Sequence, residues 1–418
     1  MHDLPRPRAS ARRADVLLIV GFLAILAYPS LALLRDPAEV GKEARVENRV
    51  LQPRPPIHRL ISEPARFVAE FRAFLEDEFL GRPSLIAMNS RIRVLGLGVS
   101  TNPQVIVGKH GSLFYAGDPH VPTYDLGHEV AKQRRVRPLS EVRLAELHKY
   151  LLARKHWAES LGARFLMVLA PDKSTVYPEH APDWMAPLDA PSVTDQALDY
   201  LASRGDVEFL DLRPAMFQAK AEHARQPLYY RYDTHWNFQG AFVGYEAITD
   251  RLHTLFPGGH SLRESDLSFA KIKRTGDLAW MLRLGDTLQE RTFLVNVKEP
   301  RAKEVAYPYD TSPVGAGQHP PRMFQTGDAS LPKGLILHDS YMDALMDFLA
   351  EDFQTSVFTW DLRVNPATLG DFKPDVVLYE LVERSLPYLL LYQDGLTPPV
   401  DPRIAAEDAE LSSRGRRR

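Results

Sequence analysis

The sequence predicts an α/β domain, a mostly parallel sheet flanked by helices, preceded by an N-terminal membrane-spanning helix. Two observations carry this. From residue 140 onward, short apolar runs alternate with helical patterns at strand–helix–strand spacing, the signature of a parallel sheet with helices on both faces. Near the N-terminus, Val16–Leu34 runs without a single charge behind Arg6, Arg8, Arg12 and Arg13.

The N-terminal stretch comes first. As a helix, Val16–Leu34 spans about 28 Å at 1.5 Å per residue, close to the hydrocarbon thickness of a bilayer. Arginines ahead of it predict a cytoplasmic N-terminus and export of everything after Arg35. The competing reading is a cleaved signal peptide, with Ser30-Leu31-Ala32 as a small-residue cleavage site. Arg35–Pro56 is polar and proline-bearing and reads as a spacer.

Pro64–Leu80 has Phe67, Phe71, Phe74, Leu75 and Phe79 at helical spacing. Val105–Gly108 and Ser112–Tyr115 read as a hairpin with Gly111 in its turn. Ser140–Leu161 reads as an amphipathic helix stopped by Gly162, followed by a buried strand at Arg164–Ala170. Thr194–Ser203 reads as a helix ending at Gly205, then Val207–Leu210 as a strand, then Phe238–Leu255 as a helix. Strands follow at Gly334–Leu337, Thr355–Trp360 and Asp375–Tyr379, with a helix at Tyr341–Phe353. The domain boundaries are then 1–14 basic cytoplasmic segment, 15–34 anchor, 35–60 linker, 61–397 globular domain with 262–330 as an irregular insertion rich in Pro and Gly, and 398–418 disordered tail.

Composition narrows the function classes. Hydrophobic residues make up 44% and charged residues 25% of the 418, which excludes a mainly disordered chain and a multi-pass membrane protein. Lys+Arg 51 against Asp+Glu 54 gives a net charge of −3, so no whole-chain electrostatic case for nucleic acid exists. The absence of cysteine removes disulfides, thiolate metal sites and cysteine nucleophiles. No P-loop, dinucleotide fingerprint or Gly-x-Ser-x-Gly elbow occurs; His128-Glu129 lacks the second histidine of a zincin, and Lys132 stands in its place. No cofactor or metal is indicated.

Two segments carry candidate chemistry: Asp233-Thr234-His235-Trp236-Asn237, just before a helix, and His338-Asp339-Ser340-Tyr341, where a strand ends. Serine acyl transfer needs a base for the hydroxyl proton, a carboxylate to hold that base and donors for the oxyanion. In extended chain, Asp233 and His235 point to one side, so the carboxylate reaches Nδ1 and leaves Nε2 for a nucleophile. Ser340, at the carboxyl end of a strand, suits that role, with amides at or just after it as oxyanion donors. The bland readings stand beside these. Asp-x-His triplets are commonly loop residues, and Ser340 with Asp343 forms a plain Ser-x-x-Asp capping box. His338 and Asp339 can be strand-end and turn residues only. Ser330 in Gly327-Asp328-Ala329-Ser330 has no apolar strand before it, so Ser340 is preferred. Lys173 can touch substrate or hold a structural contact, and Trp236 can stack on a bound ligand or sit in the core.

At these residues the sequence resembles the alginate O-acetylation proteins of the SGNH-hydrolase type. The matching segments run over roughly residues 44–385. They are Glu47-Asn48-Arg49, Phe67 to Leu80 with Arg82, Val105 to Lys109 through Phe114-Tyr115, Ala170 to Lys173 through Tyr177-Pro178, the two segments above, and Pro374 to Val377 through Glu383-Arg384-Ser385. His338 stands where relatives often have glycine.

The resemblance implies an SGNH-hydrolase-like fold for 61–397, with Ser340 as nucleophile, His235 as base and Asp233 as its orienter. It implies an O-acetyltransferase acting on an exported bacterial polysaccharide from the periplasm, anchored to the inner membrane. It also implies a membrane-bound O-acyltransferase as acetyl supplier, other exopolysaccharide secretion proteins as partners, and absence of the C-terminal carbohydrate-binding module of some relatives. The alternatives are an acetylesterase using the same triad and a non-catalytic polysaccharide-binding scaffold.

Overall fold

The computed structural model describes residues 9–28, 52–78, 82–117, 129–136, 138–222, 226–259, 261–309, 319–363, 369–391, 396–397 and 399–404. The chain divides into two compact units, Met1–Thr101 with Trp280–Leu284, and Asn102–Ala279 with Gly285–Arg418.

In the first unit a helix covers Ala9–Ala27. Its first turns carry Arg12, Arg13 and Asp15, and Val16–Val20, Phe22 and Leu23 are exposed. Among the described residues, no helix is long and apolar enough to cross a membrane. The sequence-predicted span continues to Leu34, and its end from Pro29 lies outside the described residues, as do Met1–Arg8, most of the linker including Glu47-Asn48-Arg49, and the tail beyond Ile404. The helix Pro64–Glu78 forms where the phenylalanine spacing predicts it. Phe67 stacks on Phe71 at 5.6 Å and Phe71 on Phe74 at 6.1 Å, the i, i+4, i+7 ladder of one helix face.

Among the described residues the second unit holds eleven strands: β1 (Val105–Val107), β2 (Leu113–Tyr115), β3 (Arg164–Ala170), β4 (Phe209–Asp211), β5 (Leu267–Thr275), β6 (Gln289–Val297), β7 (Lys303–Val305), β8 (Arg322–Gln325), β9 (Lys333–Leu337), β10 (Thr355–Thr359) and β11 (Val376–Val382). Strands β1 and β2 form the expected hairpin, Ile106 opposite Phe114. Seven strands make the central sheet, in the order β4-β3-β11-β9-β10-β8-β7. Neighbours from β4 to β10 are parallel; β8 runs against both β10 and β7. The sheet is thus mixed and mostly parallel.

Alternation along buried strands sends side chains to two cores. On β11, Val376, Leu378 and Val382 join Leu166, Val168 and Ile336 under the helix Phe238–Leu255. Val377, Tyr379 and Leu381 join Phe165, Met167 and Leu169 under the helices Glu141–Ser160 and Val193–Arg204. The helices start at sequence-encoded caps. Ser140 accepts from the Arg143 amide, Ser192 and Asp195 form a reciprocal box, and Asn237 accepts from the Gln239 and Gly240 amides. Gly205 ends Val193–Arg204 with φ 70°, a left-handed conformation that favours glycine.

Two expectations are corrected. The described residues of 262–330 are not irregular: β5 and β6 pair over nine residues each, from Leu267 opposite Val297 to Thr275 opposite Gln289, and β7 and β8 extend the central sheet. Most β5 and β6 side chains are exposed or half-buried and many are polar, so no apolar run marks these strands. Tyr341–Phe353 is not one helix. It is a 3-10 turn at Met342–Ala344, a short helix at Met346–Leu349 and a second 3-10 turn at Ala350–Asp352, broken at Leu345, φ −123°.

Leu378 is fully buried on β11, an interior strand of this sheet. Leu378→Ala should cost about 2–5 kcal/mol of stability, read as a lower midpoint in urea denaturation monitored by circular dichroism.

Candidate active site

The carboxyl ends of β3, β9 and β11 lie side by side, where open α/β sheets place their ligands. Ser340 follows β9 by three residues and is half-buried. Asp233 and His235 come from the loop before the helix Phe238–Leu255, which folds back on itself through a bridge between Tyr229 and Trp236.

The structure brings the three sequence-predicted residues together. His235 Nε2 lies 2.7 Å from Ser340 Oγ, and His235 Nδ1 lies 2.7 Å from Asp233 Oδ1. Asp233 is 1% exposed. Its Oδ1 also accepts the His235 amide at 3.0 Å; its Oδ2 accepts Arg274 Nη2 at 3.1 Å and the Asp277 amide at 3.2 Å. Burial alone would raise the Asp233 carboxyl; the hydrogen bond and charge of His235, with Arg274 beside it, outweigh that and hold it well below the usual carboxylate range. An ionised Asp233 fixes the tautomer with hydrogen on Nδ1, leaving the Nε2 lone pair to accept the Ser340 proton.

Ser340 does not cap a helix; the turn after it has no side-chain cap of that kind. Asp339 takes this role instead. Its Oδ1 accepts the Tyr341 amide at 2.9 Å and its Oδ2 accepts the Val382 amide at 2.8 Å, tying the turn to the end of β11. The Ser340 hydroxyl is therefore left for His235. The Tyr341 amide is spent on Asp339, so of the two amides expected for an oxyanion, Ser340's own carries no hydrogen bond among the described residues. Tyr341 is fully buried, donates to the Thr234 carbonyl at 2.7 Å and accepts from Arg384 at 3.2 Å.

Lys173 and Trp236 resolve as structural. Lys173 is buried and Nζ donates to the carbonyls of Leu113 at 2.7 Å, Arg231 at 2.8 Å and Asp233 at 3.3 Å. Burial pulls its amine down to about 7. Trp236 is fully buried and donates to the Tyr341 carbonyl at 3.0 Å. His338 is buried; its Nδ1 contacts the Asp339 carbonyl at 2.7 Å, and burial pulls it down to about 4.

Residues on β5, just after it and on β6 brace the loop and are not among the sequence-predicted ones. Arg274 and Asp277 touch Asp233 and Thr234, and Glu290 accepts the Arg231 amide at 3.0 Å and the Tyr232 amide at 3.3 Å. Gly276 makes the close approach possible: a Cβ there would lie 2.0 Å from the Tyr232 carbonyl oxygen. The Arg-Thr-Gly-Asp run was a visible signal, a glycine before an acidic helix start, but its partner is fixed only by tertiary pairing. Asp233, His235 and Asp277 bring potential ligand atoms within 4.8 Å of one another. The first two already bond each other, and Arg274 occupies the second Asp233 oxygen, so the group does not fit a metal ion.

Gly276→Ala should force the Tyr232–Asp233 backbone to shift and lower the melting temperature, which thermal denaturation beside the wild type checks. Lys173 binds its proton in the unfolded chain up to about 10.4 and in the folded chain only to about 7. Between those values the unfolded state holds more protons, so stability gained from Lys173 rises with pH. Denaturation of wild type and Lys173→Met at several pH values should show this rise in the wild type and its absence in the variant.

A family model described as SGNH hydrolase-like domain, acetyltransferase AlgX, matches residues 105–320. The match includes Asp233, His235, Arg274 and Asp277 and stops short of Ser340. No curated protein matches the chain. Among solved structures, the chain is similar to PatB1 of Bacillus cereus at 16% identity, covering 61% of this chain and 93% of that one, TM-score 0.45. It is similar to the O-acetyltransferase domain of Pseudomonas putida AlgJ at 18% identity, covering 74% and 98%, TM-score 0.44. It is also similar to Pseudomonas aeruginosa AlgX at 14% identity, covering 66% and 61%, TM-score 0.42. With more than half of its length matched, from hairpin β1–β2 through the loop that carries Asp233 and His235, the chain belongs to the SGNH hydrolase-like acetyltransferase AlgX family.

Proposed function

We propose that the chain is an O-acetyltransferase that moves an acetyl group through Ser340 onto hydroxyls of an exported bacterial polysaccharide. The observation that carries this reading is the unbroken line Asp233–His235–Ser340, 2.7 Å at each step, at the carboxyl edge of the sheet.

Ser340 Oγ attacks the acetyl carbonyl carbon of an ester or thioester donor while His235 Nε2 takes the hydroxyl proton. The tetrahedral oxyanion forms within reach of the Ser340 amide. The donor's alcohol or thiol leaves with the proton from His235, and the acetyl group stays on Ser340 as an ester. A sugar hydroxyl then gives its proton to His235 and attacks the same carbon. Ser340 leaves, takes that proton back, and the sugar carries the acetyl ester. Water in place of the sugar would yield acetate.

The arginines ahead of an apolar N-terminal helix, with Val16–Val20, Phe22 and Leu23 uncovered, support export to the periplasm with an inner-membrane anchor. A membrane-bound O-acyltransferase is the natural acetyl supplier on that side of the membrane, alongside other exopolysaccharide secretion proteins.

The test uses the purified chain, a chromogenic acetyl ester and an oligosaccharide acceptor. Acetylated oligosaccharide should form, and Ser340→Ala and His235→Ala should each lower the rate by at least about 1000-fold. Acetate without acetylated sugar would make the chain an esterase. Sugar binding with neither product would make it a scaffold.

A further inference from the structure

Asp233 is not the only carboxylate at the imidazole. Asp277 Oδ2 lies 3.7 Å from His235 Nδ1. The Thr234 hydroxyl links them: it donates to Asp277 Oδ2 at 2.6 Å and stands 3.1 Å from His235 Nδ1. Asp277 is itself fixed. Its Oδ1 accepts the Thr234 amide at 2.9 Å and the Leu278 amide at 2.6 Å, and its own amide donates to Asp233 Oδ2 at 3.2 Å.

This arrangement is unbalanced at rest. Two carboxylates, Asp233 and Asp277, face one guanidinium, Arg274, around the imidazole. Burial, and after it the Asp233 charge, raises the Asp277 carboxyl above its ordinary value. When Ser340 gives up its proton, His235 becomes an imidazolium facing both carboxylates, and the negative charge left by that proton passes to the tetrahedral oxyanion. The other charges facing His235 are Asp339 and Asp343 from the turn after β9. Asp339 is committed to two amides and Asp343 is exposed, while Lys173 lies behind the loop on backbone carbonyls.

We propose that Asp277 is a positioning residue for the acid–base step: acting partly through Thr234, it shares the charge of the His235 imidazolium with Asp233 and makes His235 a stronger base. This rests on His235 being the base in the proposed reaction.

The decisive experiment reads His235 without turnover. In the full chain carrying Ser340→Ala, the His235 ring resonances, assigned by their loss in His235→Gln, are titrated by NMR with and without Asp277→Asn. Removing an opposite charge at this distance should lower the His235 midpoint by about 1 pH unit. Asp277→Glu should restore it. On the Ser340 background, the acid limb of acetyl-ester cleavage should move to lower pH in Asp277→Asn by the same amount, a shift that a merely structural role would not produce. An unmoved midpoint in folded Asp277→Asn overturns the proposal. Should Asp277→Asn not fold, Asp277→Ser takes its place and is read by the same two outcomes. If no acetyl ester is cleaved at all, the proposed reaction fails while the NMR midpoint still decides the role of Asp277.

Discussion

The site rests on one buried carboxylate. Asp233 is almost fully removed from water, which costs several kcal/mol for an ion left uncompensated. The cost is offset by donors from three places: the His235 ring and amide, the Arg274 guanidinium and the Asp277 amide. Each of these contacts also orients something. The ring contact fixes the histidine tautomer, the Arg274 contact pins β5 to the loop, and the Asp277 contact brings a second acidic side chain within 4 Å of the ring. Stability and chemistry are served here by the same hydrogen bonds.

The serine side is organised by a different rule. A strand that ends in a sharp turn leaves amides without partners, and something must take them. Asp339 takes two, Tyr341's and Val382's. This keeps the turn rigid against β11 and spares both the hydroxyl and the amide of Ser340. Tyr341 locks the other direction. Its carbonyl accepts from Trp236 and its hydroxyl reaches the Thr234 carbonyl, so the serine turn and the histidine loop are sewn together through groups buried from solvent.

What was legible in the sequence follows the range of the interactions. Strand β3 and the helix Phe238–Leu255 match their sequence limits because an apolar run and an asparagine cap are local signals. The meeting of Asp233, His235 and Ser340 was legible because the first two stand two apart in one loop and the third sits at a strand end. Strand β11 runs three residues past its expected end at Tyr379, because Glu380–Val382 pair with β3 and not with anything nearby in sequence. The broken segment after Ser340 was hidden for a related reason. Residues with good helical periodicity are held by Asp339 and β11 from outside the segment. Arg274, Asp277 and Glu290 were least legible, since Arg274 and Glu290 lie on a ribbon whose exposed polar faces resemble loop and Asp277 starts the short helix just after β5.

That ribbon has a practical consequence. Strands β5 and β6 pack on the core through Leu267, Val295 and Val297, and from the same ribbon Arg274 and Glu290 clasp the histidine loop. Anyone transplanting the serine, histidine and aspartate onto another scaffold would have to carry this ribbon along. Without it, the aspartate would lose its cation and the loop its backbone acceptor, and the graft would hold the right residues in slack geometry.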